Sequence, residues 1–281
     1  MIGSGCVGTI SREIKRFLLA LQFLTRVPMG DALSRWVGFS SIELSASARY
    51  FPWVGLLLGM LASSVWIVCG LLWSPSIAAV LTTAFTVWLT GAFHEDGLAD
   101  SADALGGTVS RERALAIMKD SRIGTYGAVA LILVVATRVA ALASMSPPLG
   151  VLALLFAHSA GRAGACAILA TLPYVRDDDS GKSKPLAQSM RGRELAVALS
   201  APLLVALIAL AVHAFHYAPA VADGQSLTVF FVVSAISVSA IVVWWRRVLL
   251  RRLGGFTGDT LGAAEQLIEV AIMLLFVANF K

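Results

Sequence analysis

The stretch PWVGLLLGMLASSVWIVCGLLWSPSIAAVLTTAFTVWLTGAF, residues 52–93, runs without a single lysine, arginine, aspartate or glutamate. About 20 apolar residues cross the roughly 30 Å hydrocarbon core of a bilayer. The stretch therefore has room for two crossings, 52–72 and 77–93, turned back on each other at Trp73–Ser76. Five further apolar stretches lie outward from it, at 125–145, 150–172, 195–217, 227–245 and 261–280. Hydrophobic residues make up 58% of the 281 and charged residues 14%, against about 45–50% and about 25% in a soluble domain. No aqueous core can bury that excess. The expected fold is all-α: a polytopic membrane helical bundle of about seven transmembrane helices. Residues 52–281 are read as the transmembrane catalytic domain and 1–51 as an N-terminal cytoplasmic, interfacial segment.

Phe17–Leu24 is also apolar, but Arg16 and Arg26 bracket it closely. It is too short to cross, and reads as an interfacial helix rather than a cleavable signal. The cysteines Cys6, Cys69 and Cys166 lie far apart, which implies neither a disulfide framework nor a zinc site.

The net charge of +5 raises the question of nucleic acid. Its distribution answers it. Nineteen of the 22 basic residues fall on one side of the spans: Arg12 to Arg49, Arg111 to Arg122, Arg176 to Arg193 and Arg246 to Arg252. The turns at 73–76 and 146–149 and the connection at 213–226 hold none. By the positive-inside rule the basic face is cytoplasmic. The N-terminus is then inside, and topology explains the charge without nucleic acid.

Topology does not call for acidic residues, yet they crowd the same face. In His94-Glu95-Asp96-Gly97-Leu98-Ala99-Asp100-Ser101-Ala102-Asp103, the aspartates 96, 100 and 103 are spaced i, i+4, i+7 and share one face of a helix. Carboxylates so placed repel one another unless cations neutralise them. Magnesium takes hard oxygen ligands, commonly one or two carboxylates plus substrate phosphates. Asp96, Asp100 and Asp103 are the expected metal ligands, with Asp96 also a catalytic residue. Helix-dipole complementation suits Asp96 but not Asp103, two turns on. His94 and Glu95 project from other faces; His94 is a candidate acid or base, Glu95 an additional metal ligand.

A second constellation, Ile117-Met118-Lys119-Asp120-Ser121-Arg122-Ile123-Gly124-Thr125-Tyr126-Gly127, brings cations, a carboxylate and hydroxyls together. Lys119, Ser121, Arg122 and Thr125 are expected to bind phosphate, Thr125 by capping the next helix. Asp120 is a candidate base. A third, Gly254-Gly255-Phe256-Thr257-Gly258-Asp259-Thr260-Leu261-Gly262, offers Thr257 to phosphate and Asp259 to metal. A fourth set, Arg138, His158, Arg162, Glu265 and Glu269, lies within the spans. Charge in hydrocarbon is costly and usually pairs. Arg162 is expected to pair with one of the two glutamates below the site and to bind phosphate. Gly181-Lys182-Ser183 is no P-loop, because Arg176 stands where its first glycine would be. The Asp177–Asp179 run reads as a solvated loop.

At these residues the chain resembles a known family. Leu21 to Pro28, Tyr50 to Gly55, His94 to Asp103, Ile117 to Gly127 and Gly254 to Gly262 are similar to the cobalamin synthases, also called adenosylcobinamide-GDP ribazoletransferases. The likeness runs from about residue 14 to the end. It implies that adenosylcobinamide-GDP and α-ribazole, or α-ribazole 5′-phosphate, are joined with release of GMP. It further implies Mg2+ as cofactor and the bacterial inner membrane as location, with the active site on the cytoplasmic face. A homo-oligomer, or contact with other cobamide-pathway enzymes, is compatible with it. Two rivals remain. A CDP-alcohol phosphotransferase also spaces aspartates at a membrane face, but its pattern expects Ala-Arg where this chain has Asp100-Ser101. A transporter would place functional residues near the midplane and on both faces.

Overall fold

The structure, a computed structural model, describes residues 3–175, 190–216 and 227–280. Arg176, Asp177 to Asp179, the Gly181 to Ser183 stretch, Lys184, Asp223 and Lys281 lie outside the described residues. The described chain is helical. Helix α1 (Gly3–Leu24) is followed by two short helices, α2 (Asp31–Val37) and α3 (Ser41–Ser47), and a 3-10 turn at Ala48–Tyr50. Then come α4 (Phe51–Leu72), α5 (Pro75–Thr90), α6 (Phe93–Gly106), α7 (Arg111–Ile117) and α8 (Thr125–Ala143). The rest of the bundle is α9 (Pro147–Thr171), α10 (Gly192–His216), α11 (Leu227–Arg252) and α12 (Gly258–Asn279).

Helices α4, α8, α9, α10, α11 and α12 are each long and apolar enough to cross a membrane. Proline opens the first turn of α4, α5 and α9, where its missing N–H has no helical partner to lose. Large apolar side chains such as Leu71, Val80, Ile132, Leu207 and Ile236 stay exposed along the spans. In water such a belt would drive aggregation; in lipid it is the solvated surface. The bundle is therefore a multi-pass helical membrane protein.

The seventh span differs from the sequence reading. The expected crossing at 77–93 ends at Thr90, and sixteen residues reach only about 24 Å. Gly91 and Ala92 then take left-handed φ angles of 68° and 57°, and α6 leaves at 88° to α5. The Ala92 N–H donates to the Val87 carbonyl at 2.8 Å, and Gly91 N–H to Trp88 at 3.1 Å, the paired bonds that close a helix with a left-handed residue. Much of the 94–124 segment between the spans is thus α6 and α7. Likewise α11 continues past 245 through the four arginines to Arg252.

Helix α9 occupies the centre. Its apolar window is 78% buried, against 22% for α8, α10 and α11. It packs against α4 through Gly55 and Gly59, a small-xxx-small pair that lets backbones approach closely. A Cβ at Gly59 would lie 2.8 Å from the Leu154 carbonyl, and one at Gly55 would strike the His158 carbonyl. The N-terminal segment is fastened to this bundle. Phe17, Ala20, Leu21 and Leu24, at i, i+3, i+4 and i+7, face the same apolar cluster as Phe51 and Val54. Phe23 stacks on Phe51 with ring centroids 5.6 Å apart, and the Tyr50 hydroxyl donates to Glu13 at 2.7 Å.

Candidate active site at the charged end of the bundle

The three glycine- and aspartate-rich constellations meet at one end of the bundle. Gly97 of α6 lies against the start of α12, where a Cβ would be 2.7 Å from the Asp259 carbonyl oxygen and 3.0 Å from its Cα. Gly262 faces the His94 backbone in the same seam. The Thr257 hydroxyl donates to the Met118 sulfur at 3.7 Å, which ties the second constellation to the third. Arginines of the basic face hold the frame. Arg252 donates to the carbonyls of Leu105 and Gly107, and Arg111 to that of Leu253 at 2.7 Å. Gly254, at φ 80°, ends α11 with its N–H on the Leu249 carbonyl.

Along α6, Asp96 is exposed and Asp100 partly so. The other two expected metal ligands on this helix have different partners. Both oxygens of the Asp103 carboxylate accept backbone N–H groups, from Gly124 at 2.7 Å and Gly127 at 2.8 Å. Asp103 thus caps α8 from a neighbouring helix, the job expected of Thr125, which is instead the first residue of α8. Glu95 turns into the bundle, 7% exposed, with its Oε1 3.1 Å from Arg138. Asp96, Asp100 and Asp103 do not converge on one point: among the described residues, the group whose donor atoms all lie within 4.8 Å is His158, Glu265 and Glu269.

Thr257 also departs from its expected role. It is fully buried and closes a capping box with Thr260, which leaves its hydroxyl no access to a substrate. Asp259 sits in the first turn of α12, its Oδ2 3.4 Å from the Thr257 hydroxyl. Lys119, Ser121, Arg122 and Thr125 are exposed. Asp120 accepts from the Arg122 guanidinium at 2.6 Å and from its backbone N–H at 3.1 Å. The hydrogen bond from that guanidinium, with the backbone N–H next, lowers the Asp120 carboxyl to about 2. So acidic a carboxyl is a weak proton acceptor near neutral pH.

Beneath the aspartates lies the buried ionic network. Arg162 Nη1 is 2.7 Å from Glu265 Oε1, the pairing the sequence suggested. Arg138 Nη2 is 2.9 Å from Glu269 Oε1, and His158 Nδ1 is 3.2 Å from the same oxygen. The oxygens that bring His158, Glu265 and Glu269 together thus already face guanidiniums, so the network carries its own compensating cations. A cavity of about 30 Å³ lies between His94, Arg162, Glu265, Gly258 and Gly262, large enough for a water.

Residues 16–277 match the cobalamin-5-phosphate synthase family. The chain belongs to that family. It is 43% identical to the adenosylcobinamide-GDP ribazoletransferase of Leptothrix cholodnii over 276 residues, 97% of this chain and 98% of that one. Identity to the enzyme of the same name from Vibrio cholerae is 42%, covering 95% and 94%. A Polaromonas relative, again of that name, is 41% identical over 94% and 97%. No solved structure matches.

In this cobalamin-5-phosphate synthase family chain, sequence reasoning missed Arg26. Its N–H donates to the Leu89 carbonyl at 2.8 Å and its guanidinium lies against Gly91, inside the elbow. The Leu21 to Pro28 motif carried that signal, but nothing in its spacing named the partner. Arg138 was noted as a charge within a span; its reach to three other helices was not.

Proposed function

We propose that this chain transfers α-ribazole, or its 5′-phosphate, onto adenosylcobinamide-GDP and releases GMP, completing adenosylcobalamin or its 5′-phosphate at the cytoplasmic face of the bacterial inner membrane. The observation that carries this reading is the meeting of α6, the 117–127 segment and the 254–262 turn at one end of a chain whose family is shown. The family also favours it over the CDP-alcohol and transporter readings.

Bound Mg2+ would supply charge neutralisation across a diphosphate. Asp96 and Asp100, one turn apart on α6, would hold it with Asp259, which the Gly97 contact brings to the same seam. The donor type fits the ion, which commonly takes one or two carboxylates and leaves its other positions to phosphate and water; the three oxygens do not close on one point within 4.8 Å. Asp103 is left out of the set because two backbone amides hold both its oxygens, and Glu95 because it turns into the bundle toward Arg138.

The rest is positioning and neutralisation, which dominate phosphoryl transfer. Lys119 and Arg122 stand at the exposed rim, where a phosphate would meet a point charge and a planar fork. The α-ribazole hydroxyl attacks the phosphorus nearest cobinamide; its O–H bond breaks as the O–P bond forms, and GMP departs with the bridging oxygen. Asp120 is held too acidic to take that proton efficiently. His94, 4% exposed, lines the cavity beside Arg162 and is the other candidate base. Arg162 would add positive potential from below.

The direct experiment measures GMP release from adenosylcobinamide-GDP and α-ribazole by the purified protein in detergent, with and without Mg2+. Release that depends on both substrates and on Mg2+ supports the reading. Release unaffected by chelation removes the metal, and no release from these substrates removes the reaction.

A further inference from the structure

We infer that Arg138 is a positioning residue for this reaction: by holding Glu95 it sets the rotation of α6, and thereby the direction in which Asp96 and Asp100 face. This rests on the metal-binding reading of those two aspartates.

Apolar packing sets the buried side of α6, with Leu98 and Ala104 in the core and the Phe93 ring edge-on to Phe23 at 5.5 Å, and three further features hold its backbone. The elbow at Gly91 and Ala92 joins α6 to α5 without any side-chain cap on the helix start. Gly97 and Gly262 determine how closely α6 and α12 approach, but a glycine offers no side chain to key the rotation. Asp103 ties down the far end, two turns beyond Asp96.

The ionic anchor near the start is Glu95. Its Oε1 lies 3.1 Å from Arg138 Nη1 and 3.4 Å from Gln266 Nε2. The same guanidinium is 3.1 Å from Gln266 Oε1, 2.9 Å from Glu269 Oε1 and 3.4 Å from the Thr86 hydroxyl. One side chain from α8 therefore reaches α5, α6 and α12, and it is 3% exposed. A guanidinium meets such a set with a rigid planar fork; an ammonium cannot keep all of its directions at once. Glu95 and Asp96 are adjacent, about 100° apart around the helix. Any rotation that frees Glu95 turns Asp96 through the same angle. Groups one step removed from a metal commonly shift its binding in this way.

The test uses the purified full chain with Mn2+ as probe, bound ion being counted by electron paramagnetic resonance without substrate. Arg138→Lys should weaken Mn2+ binding about tenfold and raise the Mg2+ needed for half-maximal GMP release in proportion. Leu142→Ala, one turn further along the same face of α8 and packed with Trp66 and Gly150, should lower thermal stability without moving the Mn2+ curve. That contrast separates positioning from general weakening of the bundle. Wild-type Mn2+ binding in Arg138→Lys, where Asp100→Asn abolishes it, overturns the inference. Wild-type binding in Asp100→Asn overturns the metal reading beneath it instead. Should Arg138→Lys fail to fold, Glu95→Gln takes its place, since it keeps the shape and loses the charge. A weaker shift in the same direction supports the inference, and none overturns it.

Discussion

The Asp103 carboxylate of one helix accepts the Gly124 N–H that opens another, at 2.7 Å. With its second oxygen on Gly127, a side chain from α6 does for α8 what an ordinary N-cap does from within the same helix. Replacing a capping oxygen by alanine typically costs about 1 kcal/mol, up to about 2. Asp103→Ala should therefore lower the thermal midpoint in detergent, and Asp103→Asn should lower it less. Mn2+ binding should survive both. Its loss in Asp103→Ala would return the residue to the metal set.

Gly97 brings α6 against the backbone at the start of α12. Gly97→Ala would set a methyl group 2.7 Å from the Asp259 carbonyl oxygen and 3.0 Å from its Cα, both backbone atoms that cannot rotate aside. Overpacking of this kind costs about 1–3 kcal/mol. The expected outcome is a destabilised protein with reduced GMP release; a variant matching wild type in both would show that α12 shifts freely.

The elbow predicts opposite effects at neighbouring positions. Ala92 holds a left-handed φ of 57°, a conformation that costs a side-chain-bearing residue about 1–2 kcal/mol. Ala92→Gly should be neutral or stabilising in thermal unfolding. Gly91→Ala should be clearly destabilising, because its φ is 68° and its new methyl group would strike the Arg26 guanidinium.

Asp120 carries a pH prediction. Its carboxyl is lowered from 3.8 to about 2, first by the Arg122 side-chain hydrogen bond. Because the folded value lies below the unfolded one, the pairing is fully present above about 3.8 and is lost as pH falls through about 2. Asp120 thus stays charged throughout the neutral range. The acid limb of the activity profile should keep its midpoint in Asp120→Asn, and a moved midpoint would make Asp120 the titrating base.

Much of this fold could be read from periodicity and charge. The spans stand out because lipid demands uninterrupted apolar length, and α6 because Asp96, Asp100 and Asp103 repeat at helical spacing. What the spacing could not supply was the identity of each partner. Glu95 and Asp96 are equally acidic neighbours, yet one meets Arg138, 43 residues on, and the other meets solvent. Asp103 resembles Asp100 in sequence, yet it is Asp103 that takes the amides of Gly124 and Gly127. Thr257 reads as a phosphate ligand because it stands in a stretch rich in glycine. Those glycines in fact bring Gly255 against the Pro173 carbonyl and Gly262 against His94, which closes the turn over Thr257. Long-range contacts decided these cases.

The buried network has a consequence for how the protein is made. Arg162 leaves the ribosome roughly a hundred residues ahead of Glu265, and Arg138 still further ahead of Glu269. At about 5–20 residues per second, α9 waits about 5–20 seconds for the carboxylate that meets its guanidinium. During that interval Arg162 must be sheltered by water, headgroups or the insertion machinery. The bundle is completed when its final helix arrives.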